Sequence, residues 1–385
     1  MADFPASPRL ARGSAVRHAP CKNRSMPAMK RLLIALLLVA SALTARASDQ
    51  TLLIEFEPRT RLFASSVSGT GAVVAGTLEG GGGFYWMPTT GVISIGGVQA
   101  DAVSRDGRTI VGTAIGSSLM QAAIWKRAAE WQLLGSFPNA VACGFELSSA
   151  YGTSADGRVV VGLARNGCTF AHAFKWQEST GVVDLGSTVA GHPSLAAGVS
   201  ADGRVAVGYQ ERADGTRQGA RWVDLQQQLI PNVAGAFAFV GTANAANHDG
   251  SIVVGRLCRF GVESEQSAWV WSERDGTRCL PAPTLRPSPG PVIQVTANGT
   301  SDDGRVIGGG QNVGGSNDSN AIIWINGTGS YLKDYLQANG VPNAFQTWIN
   351  TGEITDVSPD GRVLVGWGAA LGGFRGYMVI LGEKP

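Results

Sequence analysis

Short apolar runs alternate with polar punctuation along most of this chain, and one punctuated run keeps returning. Its fullest form is Ser154-Ala-Asp-Gly-Arg-Val-Val-Val-Gly162. Related stretches occupy Ser104–Gly112, Ser200–Gly208, Asn247–Gly255 and Ser358–Gly366, with a weak first copy at Ser68–Gly76 and a copy one residue shorter at Ser301–Gly308. Asp-Gly between apolar runs marks a tight β-turn, because glycine accepts positive φ and the Asp carboxylate bonds the backbone two residues on. The Ser two positions earlier can bond the amides of the same turn. The β-branched run that follows lacks polar alternation and is too short for a helix, which suits a strand buried on both faces. The closing Gly leaves room where backbones crowd. Each copy therefore predicts a strand, a tight turn and a second strand.

A third run follows each copy: Gly83-Phe-Tyr-Trp86, Ala122-Ala-Ile-Trp125, Ala173-Phe-Lys-Trp176, Gly219-Ala-Arg-Trp222, Ala268-Trp-Val-Trp271 and Ala321-Ile-Ile-Trp324, with Gly376-Tyr-Met-Val379 in the last copy. A short Gly-containing turn and a fourth run, as in Val182-Val-Asp-Leu-Gly186, complete a four-strand unit. The units span approximately 64–97, 102–135, 150–186, 197–230, 244–280, 297–332 and 355–381. Four-stranded units of roughly 40–50 residues are the signature of propeller blades. The expected fold is all-β, a seven-bladed β-propeller of four-stranded antiparallel blades, in one domain over 48–385. A six-bladed propeller or an irregular β-repeat array is the alternative. The last unit lacks a fourth strand, and the orphan run Thr51–Phe56 is placed to supply it and tie a ring shut. Leu332–Gln337 reads as a short helix inside the longest connection.

The first 47 residues follow another pattern. Met29-Lys-Arg31, an apolar core from Leu32 to Leu43 and Ala45-Arg46-Ala47 make up a secretory signal peptide, its core too short to span a bilayer. Residues 1–47 read as a leader, with translation starting at Met26 or Met29 and cleavage after Ala47. They hold eight of the 31 Lys/Arg and one of the 29 Asp/Glu, so the chain from Ser48 carries 23 basic and 28 acidic residues, a balance of −5. A general affinity for nucleic acid loses its electrostatic basis. No second apolar segment follows, so the mature chain is expected to carry no membrane span and to work outside the cytoplasm, in the periplasm or beyond the cell. Cys143, Cys168, Cys258 and Cys279 remain after cleavage, an even count that suggests disulfides in an exported chain. Three pairings are open; Cys143 with Cys168 and Cys258 with Cys279 are the local ones. No Cys-x-x-Cys occurs, which argues against zinc.

In such blades the first-to-second and third-to-fourth strand turns share one end. Here those turns are short, while the connections at the opposite end are long and differ between units. Binding groups concentrate on such loops when a rigid scaffold carries them. The candidates on that loop face are Arg165, Phe170, Arg212, Arg259, Phe260, Asn312, Trp367 and Arg375. Glu211, Glu263 and Asp318 are the carboxylates that inward-folding loops bring to a ring centre, and Pro281–Pro291 adds a proline-rich connection. No catalytic or metal-binding residue is assigned: there is no Walker loop, no His-Glu-x-x-His and no Gly-x-Ser-x-Gly. The mature chain's histidines are His172, His192 and His248; His248 occupies a turn, and His192 has no recognisable partner. The turn carboxylates Asp106, Asp156, Asp202, Asp249, Asp303 and Asp360 read as structural, and only the doubled Asp302-Asp303 gives calcium a small opening.

Ala171-His-Ala-Phe-Lys-Trp176 with Asp184-Leu-Gly186, after the Ser154–Gly162 element, resembles the bacterial extracellular repeat family named for its His-Ala-Phe motif. The resemblance covers most of residues 64–381, though only the third unit carries His-Ala-Phe itself. Ser358-Pro-Asp-Gly-Arg362 is similar to the repeat of TolB-type propellers. The resemblance implies an exported repeat protein without a defined activity or cofactor and brings no catalytic residues. The function expected is a monomeric binding or interaction module for a protein or glycan. The competing readings are a glycan-acting hydrolase or lyase with a site at the ring centre, and a purely structural surface protein.

Overall fold

The computed structural model describes residues 50–382 except 58–59, 117, 128, 139, 141–146, 168–169, 234–239, 259–264, 284–292 and 314–318. Its elements are strands, with one short helix among the described residues. β1 (Leu52–Glu55) stands apart in sequence. Four four-stranded antiparallel sheets follow: β2 (Leu62–Val67), β3 (Val74–Leu78), β4 (Gly83–Met87) and β5 (Gly91–Gly96); β6 (Gln99–Val103), β7 (Thr109–Ile115), β8 (Met120–Lys126) and β9 (Trp131–Gly135); β10 (Ser148–Thr153), β11 (Val159–Asn166), β12 (Phe170–Gln177) and β13 (Gly181–Gly186); β14 (Ser194–Val199), β15 (Val205–Glu211), β16 (Arg217–Val223) and β17 (Gln226–Leu229).

A twelve-stranded sheet takes the rest. It contains β18 (Ala243–Ala246), β19 (Ile252–Cys258), β20 (Glu265–Ser272) and β21 (Gly276–Cys279), then β22 (Ile293–Thr300), β23 (Val306–Val313), β24 (Asn320–Ile325) and β25 (Thr328–Tyr331). β26 (Glu353–Val357), β27 (Val363–Ala370) and β28 (Gly373–Ile380) end the chain. Single residue pairs such as Arg256–Thr296 and Gly310–Glu353 link these strand sets into one sheet. β1 lies antiparallel on β28, Leu52 opposite Ile380 and Glu55 opposite Tyr377, so the run Thr51–Phe56 does fill the missing fourth place. The innermost strands touch one another in the order β2, β6, β10, β14, β18, β22, β26, and β26 returns to β2.

The recurrent turn is built as its residues require. Ser154 is 1% exposed; its hydroxyl donates to Asp156 Oδ1 (2.7 Å) and accepts from the Val159 N–H (3.0 Å). Asp156 Oδ1 also accepts from the Arg158 N–H (3.0 Å), and Gly157 sits at φ +71°. The same bonds recur from Ser104, Ser200, Ser301 and Ser358. Asn247 substitutes its amide, Oδ1 accepting from the Ile252 N–H at 3.0 Å. The sixth copy corrects one expectation: Ala297 pairs with Gly309, as Ala150 pairs with Gly162, so the motif runs Ser301–Gly309 at full length and Gly308 stands where Val161 does.

The second strand of each set is buried on both faces: Val160 and Val161 are fully covered. Apolar clusters fill the space between successive sheets, one joining Val111, Ile124 and Phe137 to Val160 and Phe174, another Val161 and Leu185 to Ala206 and Trp222. Tryptophans of the third or fourth strand cross the gaps, Trp222 Nε1–H donating to Leu185 O (3.0 Å) and Trp131 Nε1–H to Ile95 O (2.8 Å). The helix α1 (Leu332–Ala338) packs Leu332 and Leu336 into the cluster around Tyr377.

Candidate functional site

Every innermost strand is interrupted by a bulge at the same place. The register slips between Ala64 and Ser66, Ala100 and Ala102, Ala150 and Gly152, Ala196 and Gly198, Ala243 and Ala245, Ala297 and Gly299, and Ile354 and Asp356. A bulge leaves one residue out of the ladder and re-aims its side chain. The residues left out are Ser65, Asp101, Tyr151, Ala197, Asn244, Asn298 and Thr355, and all of them line one cavity of about 220 Å³ on the ring axis. Arg105, Ala155, Ala201 and Pro359 also line it, so the cavity reaches the end of the ring that carries the Asp-Gly turns.

The closing glycines make the bulge possible. A Cβ on Gly162 would lie 1.9 Å from Ser149 O and 2.8 Å from the Phe174 ring; on Gly208 it would lie 1.8 Å from Leu195 O. Only a hydrogen there lets the bulged strand close on its neighbour.

The cavity is polar and carries carboxylates. Asp101 accepts one hydrogen bond, from Gln99 Nε2–H at 3.0 Å, and burial lifts its pKa to about 7 against that bond. Asp356 accepts from the Ser66 hydroxyl (2.8 Å), the Val67 N–H (2.9 Å) and the Val357 N–H (2.8 Å). Burial still raises its pKa against those donors and the nearby Arg105. Of the lining residues, Asn244 donates to Asn298 Oδ1 (3.3 Å), and Asn298 donates to Glu353 Oε2 (3.0 Å), which lies behind the lining. Burial raises Glu353 as well, opposed by Asn298 and the positive charge of Arg256. At the turn end Arg105 spans the opening, its guanidinium in a bidentate pair with Asp302 (2.8 and 2.6 Å) and 3.3 Å from His248 Nδ1. Perturbed carboxylates gathered in a cavity mark a candidate functional site. This donor and acceptor set can orient a small polar molecule.

The residues expected on the loop face fall in separate places. Arg165 lies opposite Ala171 and Phe170 opposite Asn166, so Arg165 and Phe170 point to opposite faces of the β11–β12 pair. Arg212 opens the turn into β16 and donates to Gln218 Oε1 at 3.0 Å. Asn312, in β23, accepts from the Ser319 hydroxyl. Trp367 packs edge-on against Phe63 (5.0 Å) and Phe374 (5.5 Å), and Arg375, one step along β28, donates to Leu371 O (3.1 Å). Arg259, Phe260, Glu263, Asp318, Cys143, Cys168 and most of Pro281–Pro291 lie outside the described residues. Glu211 faces His192 Nδ1 at 3.3 Å, so His192 does have a partner, one 19 residues away in sequence. His172 meets Asp184 (3.0 Å) across β12 and β13, and His248 faces Arg105. Asp302 is engaged by Arg105 and Asp303 by its own turn, and no group of three or more His, Cys, Asp or Glu that could hold a metal occurs among the described residues. Cys258 and Cys279 are bonded across β19 and β21 with their Cα atoms 5.7 Å apart.

Sequence reasoning missed the axial ring. Its signal was present three residues before each turn Ser or Asn, where Ser65, Asp101, Tyr151, Asn244, Asn298 and Thr355 put polar groups into otherwise small, apolar strands.

No family profile and no curated protein sequence matches this chain. Solved structures do. An oligogalacturonate lyase from Vibrio parahaemolyticus superposes with a TM-score of 0.52 at 12% identity, covering 87% of this chain and 98% of that one. The β-propeller domain of the Trilobed protease from Pyrococcus furiosus gives 0.50 at 10% identity, over 85% and 97%. TolB from Acinetobacter baumannii gives 0.44 at 13% identity, over 77% and 67%. At these identities the likeness concerns the fold: the chain is an all-β protein of four-stranded antiparallel sheets with the architecture of a β-propeller. No helix among the described residues is long and apolar enough to cross a membrane.

Proposed function

We propose that this chain is an exported, monomeric, seven-bladed β-propeller that works as a binding module and holds a small polar ligand in its axial channel. The observation that carries this reading is the convergence of all the bulged residues on one polar cavity. The blade number is supported by the closed order of innermost strands and by β1 completing the last strand set. Export is supported by the Met29–Ala47 segment, and the Cys258–Cys279 bond suits an oxidising compartment. The repeat resembles the His-Ala-Phe family in this respect as well. On the loop face, Trp367 with the neighbouring Phe63 and Phe374 rings is a separate docking surface for a protein or glycan partner.

A second reading, a glycan-acting enzyme, draws on one observation: Asp101 and Asp356 share the cavity, and a carboxyl group titrating near neutrality suits general acid–base work. The two readings separate by turnover.

The test is a thermal-shift screen of the chain from Ser48 against small polar metabolites, oligosaccharides and peptidoglycan fragments, followed by turnover assays on every binder. A channel ligand raises the midpoint, loses its effect in Ala197→Phe, which fills the cavity, and keeps it in Arg212→Ala and Trp367→Ala. Binding that survives Ala197→Phe but is lost in the loop-face variants would overturn the channel assignment.

A further inference from the structure

We propose that the axial cavity is a binding site for a small molecule bearing a primary ammonium group, seated against Asp101 and Tyr151. This inference rests on the channel reading above and names the ligand class for that same site.

The charge inventory of the lining leads there. Its ionisable residues are Asp101, Asp356, Arg105 and Tyr151. The one cation, Arg105, is already matched by the bidentate contact with Asp302. Asp356 has its oxygens filled by a hydroxyl and two backbone N–H groups. Asp101 differs. Its one hydrogen bond comes from the neutral Gln99 amide and lands on Oδ2, and no hydrogen bond to Oδ1 and no cation beside the carboxylate occurs among the described residues. A carboxyl group in a surrounded site with no counter-charge is costly, and an incoming cation removes that cost.

The rest of the lining fits an ammonium head. Three N–H donors need three acceptors: the Asp101 carboxylate and the Ser65 hydroxyl are on lining residues, while the Thr355 hydroxyl is turned to Ala64 O and Val365 O and Asn298 Oδ1 already accepts from Asn244. Tyr151 is the aromatic residue of the lining, and an aromatic face attracts a cation. A carboxylate or phosphate ligand finds no unmatched basic group there. The volume of about 220 Å³ is small for a ligand pocket and suits a short diamine or an amino acid better than an oligosaccharide.

The experiment uses three probes of equal chain length: 1,4-diaminobutane, 1,4-butanediol and succinate. Each is titrated into the chain from Ser48 by calorimetry, with thermal shift alongside. The diamine should bind and raise the midpoint, and the diol and succinate should not. Asp101→Asn, which keeps shape and removes charge, should weaken the diamine about 30-fold or more, as loss of a desolvated charge partner does. Glu130→Gln, on the outer surface, should leave binding unchanged. If the diol or succinate binds and is expelled by Ala197→Phe, or if none of the three binds while another polar molecule does, the channel reading stands and the ammonium assignment falls. If the diamine binds equally well in Asp101→Asn, the ammonium assignment falls; if in addition no binder of any class is expelled by Ala197→Phe, the channel reading falls with it.

Discussion

Ser154→Ala tests the physical account of the repeat most directly. The hydroxyl has two jobs: it donates to Asp156 Oδ1 at 2.7 Å and accepts the Val159 N–H at 3.0 Å, in a place 1% exposed. Alanine keeps Cβ, so no sizeable cavity forms and the loss is one of hydrogen bonding. Val159 is 6% exposed, and a buried N–H stripped of its partner costs about 1–3 kcal/mol. The Asp156 side chain is 58% exposed, so water replaces the lost donor there and the added cost is about 0.5 kcal/mol. The expected destabilisation is therefore about 1.5–3.5 kcal/mol. Asp156→Ala leaves the buried N–H satisfied and should cost about 1 kcal/mol. The double variant should fall short of the sum by about 0.5 kcal/mol, because both remove the same Ser154–Asp156 bond. Urea unfolding followed by tryptophan fluorescence measures all three. A loss below 0.5 kcal/mol for Ser154→Ala would refute the idea that the buried hydroxyl locks the turn.

Other consequences can be checked with the same assay. Phe56, 2% exposed and stacked on Trp86 at 4.9 Å, anchors the chain just after β1; Phe56→Ala should cost about 3–5 kcal/mol, and a cost under 1 would mean that the closing strand contributes little. Gly162→Ala forces a methyl group to within 1.9 Å of Ser149 O, so the bulge must open; a loss above about 3 kcal/mol or failure to fold is expected, and a neutral result would show that the bulge is not required. Asp101 carries a folded-state pKa near 7 against an ordinary 3.8 for the side chain in water, so the folded state holds the extra proton and stability falls as pH rises from about 4 to about 7. Asp101→Asn removes that slope. The gain at pH 8 is on the order of 4 kcal/mol at most, from a shift of about three units at about 1.4 kcal/mol each; identical pH profiles for the two proteins would refute the shift.

The architecture was legible because its decisive interactions are local. Ser154 and Val159 are five residues apart, and the Asp-Gly turn with its β-branched strand follows from short-range sterics and hydrogen bonding. Repetition then does the rest, since a four-strand unit that cannot cover its own faces must stack on its neighbours. Even the closing strand could be read, as an apolar run left over at one end facing a unit one strand short. The axial site was not legible in the same way. Asp101 and Asp356 are 255 positions apart and meet only because the innermost strands close on one another. Their side chains reach the axis because a one-residue bulge moves them out of the alternation that the sequence pattern predicts. Arg105 and Asp302 pair across the opening for the same reason, although each sits in a turn that was easy to read. What the sequence alone determined was the unit and the way units stack, because those depend on neighbours along the chain. Which residues share a cavity, and which charge there lacks a partner, was decided only when the ring closed, because burial and distance across an axis are properties of the assembled fold.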